Sequence, residues 1–147
     1  MFKIKKILLV EDNINDVELI LEALSEQKLG DRVIVTNDGV EGMEYLRSEG
    51  KYQDREMGYP AVVFLDIKMP RMDGIEVLRE LKSDPLLKIL PVVMLTSSKE
   101  EPDLNKCYEL GVNAYVVKPV NFKDFIEAVK QLGNFWALLN ELPSYGG

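Results

Sequence analysis

Charged side chains follow several apolar runs of this chain, at the points where buried strands would end. Glu11 and Asp12 come directly after the first run. Asp66 follows a run in the middle of the chain, and Lys118 follows the last one. If these runs are neighbouring parallel strands, their carboxyl ends meet at one edge of a sheet. Three carboxylates and one ammonium group would then converge, and such a cluster can bind a cation and handle phosphate.

The oxygen-rich side chains of this cluster favour magnesium. Two carboxylates about 5 Å apart repel each other by roughly 3 kcal/mol at an effective dielectric constant near 20, so the group takes up protons or binds a cation. Magnesium accepts an all-oxygen site and keeps waters that phosphate oxygens can replace. Asp12 and Asp66 are the expected direct ligands. Glu11 is expected to reach the ion through water, and the backbone carbonyl of Lys68 to fill another position.

Asp66 also has the chemistry of a nucleophile. A carboxylate can attack a phosphoryl group and form an acyl phosphate, and the transfer depends on positioning and on neutralised oxygens. Lys118 offers a point charge, and Thr96, at the end of the fourth run, offers a hydroxyl. Backbone N–H groups near Ile67 and Ser98 are candidates to complete a phosphate cradle. Each residue alone is ordinarily a turn residue, a helix cap or a solvated side chain; their shared position at strand ends favours a site.

The composition limits the classes of function. The chain has 147 residues and a net charge of −7, which fits one globular domain and disfavours nucleic acid as a direct partner. It contains no histidine, so it lacks Ser-His-Asp and Cys-His machinery and cannot itself be a phosphohistidine donor. The single cysteine, Cys107, excludes an internal disulfide and fits a reduced cytoplasm. No apolar run has the length of a membrane span.

Apolar runs and helical periodicity alternate five times, which predicts an α/β fold. The expected strands cover residues 4–10, 32–36, 61–65, 91–96 and 114–117, and the expected helices begin after residues 13, 39, 72, 98 and 121. Right-handed crossovers make the sheet parallel, with helices on both faces. The prediction is a doubly wound, flavodoxin-like sheet of order 2-1-3-4-5, in which ligands bind beyond the carboxyl ends of strands one and three.

Local signals predict one helix cap, and two further segments have alternative interpretations. Asn13 is a predicted N-cap, with Asp16 three residues further on. Asp38 and the glycine after it are compatible with a hairpin turn, but the spacing of the following apolar residues favours a helix. The polar segment 50–60 is interpreted as a solvated connector, with a partner-docking loop as the alternative.

The last predicted helix keeps an apolar face for about five turns, further than a five-stranded sheet requires. Phe135, Trp136 and Leu139 continue this face. The extension over 133–142 either completes the domain core or reaches a partner or a second copy of the chain.

The combination of motifs resembles the receiver domain of two-component response regulators. The matching segments are Leu9-Val10-Glu11-Asp12-Asn13, Leu65-Asp66-Ile67-Lys68-Met69-Pro70-Arg71-Met72-Asp73-Gly74, Met94-Leu95-Thr96-Ser97 and Ala114-Tyr115-Val116-Val117-Lys118-Pro119. The resemblance covers residues 4–132, and residues 1–147 are interpreted as a single receiver domain with a helical extension. The loop at 50–60 and the tail are similar to the single-domain regulators of cyanobacterial-type phytochromes.

The resemblance implies a signalling switch rather than a conventional enzyme. Asp66 would accept phosphate from a sensor histidine kinase, of phytochrome type on the narrower match, in phosphorelay signal transduction. Magnesium would be bound by Asp12, Asp66 and the Lys68 carbonyl, and Glu11 matches the other acidic position of the family.

The resemblance also implies a path for the switch. Thr96 matches the hydroxyl that moves toward the phosphoryl group, and Tyr115 matches the aromatic residue that turns inward in response. Lys118 matches the lysine of the family motif, and its bond to Pro119 is often cis in the family. The face of the fourth helix, fifth strand and fifth helix would change shape. A homodimer through that face or through the C-terminal helix is possible, in a cytoplasmic protein without nucleic acid or membrane partners.

Three other functions share parts of this pattern but fit it less well. A magnesium-dependent phosphohydrolase with an aspartyl nucleophile usually needs a second acidic group and a capping segment, but Ile67 and Lys68 follow Asp66 directly. A flavin module on the same architecture needs a phosphate loop after the first strand, where Glu11 and Asp12 repel the ligand. A phosphorylation-independent adaptor is disfavoured by the intact motif.

Overall fold

Strands and helices alternate through the part of the chain that the computed structural model describes, residues 5–56 and 58–143. The strands are β1 (Ile7–Val10), β2 (Val33–Thr36), β3 (Val62–Leu65), β4 (Val92–Thr96) and β5 (Ala114–Val117). The helices are α1 (Ile14–Glu26), α2 (Gly39–Arg47), α3 (Gly74–Ser83), α4 (Glu101–Glu109) and α5 (Phe122–Gly133). Short 3-10 turns lie at Gly30–Arg32 and Gly50–Tyr52, and a π-helical segment, Asn134–Leu139, continues α5. No helix of the described ranges is both long and apolar enough to cross a membrane.

All five strands are parallel and lie in the order β2-β1-β3-β4-β5, which confirms the predicted topology. Val10, the last residue of β1, pairs with Thr36 on one side and with Leu65 on the other. The last residues of β1, β2 and β3 are therefore level with one another. The residues that follow β1 and β3 consequently meet at one edge of the sheet.

Two apolar layers cover the sheet because strand side chains alternate between its faces. Leu8 and Val10 point into the layer formed with α2, α3 and α4. Ile7 and Leu9 point into the opposite layer, formed with α1 and α5. The three central strands are buried on both faces, which explains their unbroken apolar runs. The edge strands β2 and β5 are mostly half-buried.

Side-chain caps set where the helices begin. The Asn13 side chain accepts hydrogen bonds at the start of α1, and Asn121 does the same for α5. The Asp38 carboxylate accepts from the N–H of Glu41 at 2.9 Å, so this segment opens α2 and is not a hairpin. Two elements begin at least two residues later than predicted. β1 begins at Ile7, and α4 begins at Glu101, where a proline in the first turn favours a helix start. Residue 4, the predicted start of β1, lies outside the described residues.

The connector between α2 and β3 is held against α2. The Tyr52 hydroxyl donates to Glu41 Oε2 at 2.6 Å. Arg55 Nε donates to the backbone carbonyl of Tyr45 at 2.6 Å, and the Arg55 guanidinium lies 4.3 Å from the centre of the Tyr45 ring. The predicted solvated connector is therefore a fixed loop, and its role in partner docking stays a prediction.

The C-terminal extension packs on the core with some of its apolar side chains and exposes others to solvent. Gly133 lets α5 approach α1 closely, because a Cβ there would lie 2.5 Å from a methyl carbon of Leu24. Beyond it, Ala137 is buried and Trp136 packs on the same core layer, so these residues complete the core. Trp136 is only partly buried, so a partner contact of this residue stays a prediction. The exposed apolar residues of the extension are Phe135, Leu138 and Leu139.

Candidate functional site

Carboxylates from two strand ends converge beyond the sheet. Glu11, Asp12 and Asp66 each offer an oxygen atom, and these atoms lie within 4.8 Å of one another. The convergence follows from the register, because the N–H of Asp66 donates to the carbonyl of Val10 at 3.2 Å. Asp12 is exposed, whereas Glu11 and Asp66 are buried. The cluster is therefore open to solvent on the side of Asp12.

A close backbone approach fixes the loop after Asp66. The N–H of Gly74 donates to the carbonyl of Ile67 at 2.8 Å, and a Cβ on Gly74 would lie 2.1 Å from the Asp66 carbonyl oxygen. Only glycine fits there without moving the backbone. The N–H of Ile67 donates to Asp66 Oδ1 at 2.8 Å. This N–H therefore bonds the nucleophile candidate in this structure, and its part in a phosphate cradle stays a prediction.

Lys118 directly follows β5, and its side chain extends into the carboxylate cluster. Its Nζ donates to Glu11 Oε1 at 2.6 Å and to Asp16 Oδ2 at 2.7 Å. Asp66 Oδ2 lies 3.5 Å from the same nitrogen, an ion-pair distance that is long for a hydrogen bond. The Lys118 side chain is only 9% exposed. One buried ammonium group thus lies within ion-pair distance of three carboxylates.

The bond between Lys118 and Pro119 is trans, since no cis peptide bond occurs among the described residues. The sequence resemblance had suggested a bond that is often cis, so this expectation is not met. The trans form is the ordinary preference of an X–Pro bond. It is compatible with the hydrogen bond from the Lys118 N–H to the Thr96 carbonyl, at 2.7 Å.

Burial dominates the electrostatics of the cluster. It raises the pKa of Glu11 from its ordinary value of 4.5 to about 7, and the negative charge of Asp66 adds to this effect, while the hydrogen bond from Lys118 opposes it. Burial also acts to lower the pKa of Lys118, but its hydrogen bonds with Asp16 and Glu11 outweigh burial, so this pKa is raised. The site thus holds more negative charge than one lysine neutralises. Such a donor set fits a divalent cation with oxygen ligands.

Asp16 is the site residue that sequence reasoning missed. It was placed three residues after the N-cap Asn13, where an acidic side chain can bond back to the N–H of the cap. The Asn13 side chain does accept from the N–H of Asp16, at 3.1 Å. The N–H of Asn13, however, donates to Glu11 Oε2 at 3.2 Å. The Asp16 carboxylate instead bonds Lys118, a pairing that depends on the approach of β5 and α1 and leaves no signal in local sequence.

A hydrogen-bonded chain runs from Thr96 toward α4 through Ser98. The Thr96 hydroxyl is buried and accepts from the N–H of Ser98 at 3.2 Å. The Tyr115 hydroxyl donates to the Ser98 carbonyl at 3.0 Å. The Ser98 hydroxyl donates to Asp103 Oδ2, in α4, at 2.6 Å. Ser98 was considered only as a source of a backbone N–H, but it contacts both predicted switch residues and the helix beside them.

Lys68 is the last of the predicted site residues to be located in the structure. It lies two positions after Asp66 in the loop to α3, and it is exposed. The structure thus brings together Glu11, Asp12, Asp66 and Lys118 around one point, while the role of the Lys68 carbonyl remains a prediction.

Comparison with known proteins identifies the class that this fold and site define. The family model described as response regulator receiver domain matches residues 7–130. The chain therefore belongs to the response regulator receiver domain family, whose members are signalling switches of two-component systems and not classical enzymes. The resemblance inferred from the motifs and the flavodoxin-like fold are both confirmed.

The similar proteins described below are response regulators, and two of them are named as phytochrome or bacteriophytochrome response regulators. The chain is 39% identical over 140 residues to response regulator Rcp1 of Synechocystis, covering 95% of this chain and 94% of Rcp1. The Mn²⁺-bound structure of Rcp1 matches with a TM-score of 0.87 over 95% of this chain and 99% of that one. The phosphorylated cyanobacterial phytochrome response regulator RcpA matches at 44% identity with a TM-score of 0.89, over 97% of this chain and all of RcpA. The bacteriophytochrome response regulator AtBRR is 54% identical, with a TM-score of 0.76, over 95% of this chain and 100% of AtBRR.

Proposed function

We propose that the chain accepts a phosphoryl group on Asp66 from a sensor histidine kinase and, in the phosphorylated form, changes its protein–protein contacts. The observation that carries this proposal is the meeting of the Glu11, Asp12 and Asp66 carboxylates within 4.8 Å. Lys118 Nζ stands 3.5 Å from the nucleophile candidate. These are the parts that phosphoryl transfer needs: a nucleophilic oxygen, a cation site beside it and a fixed positive charge.

The transfer balances as an in-line displacement. A carboxylate oxygen of Asp66 forms a bond to phosphorus while the P–N bond of a donor phosphohistidine breaks, and the imidazole nitrogen leaves with the electron pair and takes up a proton. Because these 147 residues contain no histidine, the donor imidazole lies outside this sequence. Autodephosphorylation is the attack of water on the same phosphorus, with the Asp66 carboxylate as leaving group.

The proposed resident ion is Mg²⁺, although the relative with a described metal is the Mn²⁺-bound form of Rcp1. Asp12, Asp66 and the Lys68 carbonyl would hold it, with Glu11 behind them. When bound, it neutralises part of the negative charge on the phosphoryl oxygens. The geometry supports this assignment, because Lys118 is a single positive charge beside the carboxylates of Glu11, Asp16 and Asp66.

Thr96 and Tyr115 are the proposed switch residues. A phosphoryl group on Asp66 replaces the single negative charge of the carboxylate with about two and brings new acceptor oxygens, which draw the buried Thr96 hydroxyl toward them. Thr96 accepts from the N–H of Ser98, and Ser98 also contacts Tyr115 and Asp103. A shift of Thr96 therefore disturbs bonds that connect the site to α4 and β5. The face formed by α4, β5 and α5 is the proposed output surface.

The proposed partner kinase is of phytochrome type. This proposal draws on the relatives RcpA and AtBRR, which are named as a cyanobacterial phytochrome and a bacteriophytochrome response regulator. A second copy of the chain is a further possible partner, through the output surface or through the exposed Phe135, Leu138 and Leu139. Sedimentation with and without phosphorylation measures this: a mass that stays monomeric in both forms contradicts dimerisation.

The function is tested with acetyl phosphate, a small phosphodonor, in the presence of Mg²⁺. We expect a labile acyl phosphate, detected as a mass increase of one phosphoryl group that is lost on hydroxylamine treatment. The variant Asp66→Asn should show none, and removal of Mg²⁺ with a chelator should abolish labelling of the wild type. Asp31→Asn, which removes the same charge from a 3-10 turn away from the cluster, is the matched control. Labelling that persists in Asp66→Asn, or none in the wild type, refutes the proposal.

A further inference from the structure

Lys118 is shared unequally among its carboxylate neighbours. Its Nζ lies 2.6 Å from Glu11 Oε1 and 2.7 Å from Asp16 Oδ2, but 3.5 Å from Asp66 Oδ2. An ammonium group has three N–H donors. Two of them are committed to strong bonds with Glu11 and Asp16, so the contact with Asp66 is the weakest of the three.

Asp16 differs from Glu11 in its surroundings. The Glu11 side chain is 1% exposed and lies under the cluster, whereas the Asp16 side chain is 26% exposed and lies at its rim. The N–H of Asp16 is fixed by the Asn13 cap at 3.1 Å, so the backbone that carries this carboxylate is anchored to the first turn of α1. A carboxylate at this end of a helix is also stabilised by the helix dipole. The backbone of Asp16 is thus anchored, while water can reach its carboxylate and replace it as a hydrogen-bond partner of Lys118.

We propose that Asp16 is a positioning residue that holds the Lys118 ammonium in the resting site and competes with a phosphoryl group on Asp66 for it. This inference rests on the function proposed above. A phosphoryl group places about two negative charges and new acceptor oxygens beside Asp66, and Lys118 must strengthen its weakest contact to bind them. The rim carboxylate of Asp16 is the partner that water can stand in for, so its bond is the one that Lys118 gives up. Asp16 thereby limits how strongly the phosphorylated form is stabilised.

The test measures the affinity of the folded protein for beryllofluoride, a stable mimic of a phosphoryl group, by fluorine NMR titration at saturating Mg²⁺. In Asp16→Asn the competing charge is gone, and we expect beryllofluoride to bind about threefold to tenfold more tightly, the effect of one partly exposed charged hydrogen bond. The acyl phosphate formed from acetyl phosphate should also reach a higher steady-state level. Glu18→Gln removes one negative charge from the exposed side of the same helix and should leave the affinity unchanged.

A double-mutant cycle separates positioning from a general change of charge. In a Lys118→Gln background, Asp16→Asn should have no effect, because the side chain for which Asp16 competes is absent. Urea denaturation of each variant checks that the titrated protein is folded.

The outcomes are distinct. If the wild type itself does not bind beryllofluoride with Mg²⁺, the proposed function fails. If the wild type binds and Asp16→Asn binds equally or more weakly, or if the gain persists without Lys118, only the role of Asp16 is overturned.

Discussion

The stability of the protein without divalent cations should fall as the pH rises through neutrality, and Glu11 should be the cause. The pKa of Glu11 is raised by burial from 4.5 to about 7 in the folded chain. Between these values the folded state holds a proton that the unfolded chain has released, so the stabilisation is complete below pH 4.5 and is lost as the pH passes through 7. The difference between the two pKa values corresponds to about 3 kcal/mol in the free energy of unfolding. About 2 kcal/mol of this is lost between pH 5.5 and 8.5.

This pH window suits the measurement because few other groups titrate in it. The chain has no histidine, and burial raises the pKa of the Cys107 thiol to about 11. Urea denaturation with a chelator, at pH 5.5, 7.0 and 8.5, gives the free energy of unfolding of the wild type, of Glu11→Gln and of the control Glu18→Gln. The wild type and the control should lose about 2 kcal/mol across the window, and Glu11→Gln should lose almost none. A wild type with constant stability, or a Glu11→Gln variant that keeps the slope, refutes the reasoning.

Saturating Mg²⁺ should reverse this slope, because the cation binds the ionised cluster and stabilises the folded state most at high pH; the same urea series with Mg²⁺ checks it. Gly74→Ala should cost about 1 to 3 kcal/mol in urea denaturation and weaken Mg²⁺ binding, since the added Cβ would lie 2.1 Å from the Asp66 carbonyl oxygen; unchanged stability and affinity would contradict the close approach. Tyr52→Phe should cost about 1 to 2 kcal/mol by removing the 2.6 Å hydrogen bond to buried Glu41, with a loss near zero contradicting the fixed loop. Cys107 should react with a thiol reagent only on unfolding, because it is buried and its pKa is about 11; rapid labelling of the folded protein would disprove this.

The architecture was predictable because its signals are local or follow simple topological rules. Apolar runs of four or five residues, separated by helical periodicity, indicated the strands and helices, and the alternation of the two indicated a parallel sheet. Asn13 and Asn121 marked helix starts that the structure has, whereas Asp38, which was compatible with a hairpin turn, caps α2. The bounds were less certain, as at the start of α4, because the ends of an element depend on a few weak contacts.

The contacts inside the site were less predictable than its position. Sequence spacing placed Asp66 and Lys118 after the carboxyl ends of two strands of one sheet, but it gave no distance between them. Asp16 was interpreted through its local neighbour Asn13, although its side chain bonds Lys118, 102 positions away in sequence. The sequence left two roles open for Trp136, in the core or at a partner, and its packing on the core layer shared with α1 is seen only in the tertiary structure.

The sequence by itself determined the order of the strands and the positions of Glu11, Asp12, Asp66, Thr96 and Lys118 at their carboxyl ends, because the periodicity of apolar residues determines which element each one terminates. Tertiary structure alone decided which carboxylates share the Lys118 ammonium and how far each is buried. Those choices depend on differences of less than about 1 Å in the distances between side chains that are far apart in sequence, because hydrogen bonds weaken steeply with distance. Burial by the packed elements raises the pKa of Glu11, and the Lys118 contact with Asp66 is longer than its two others.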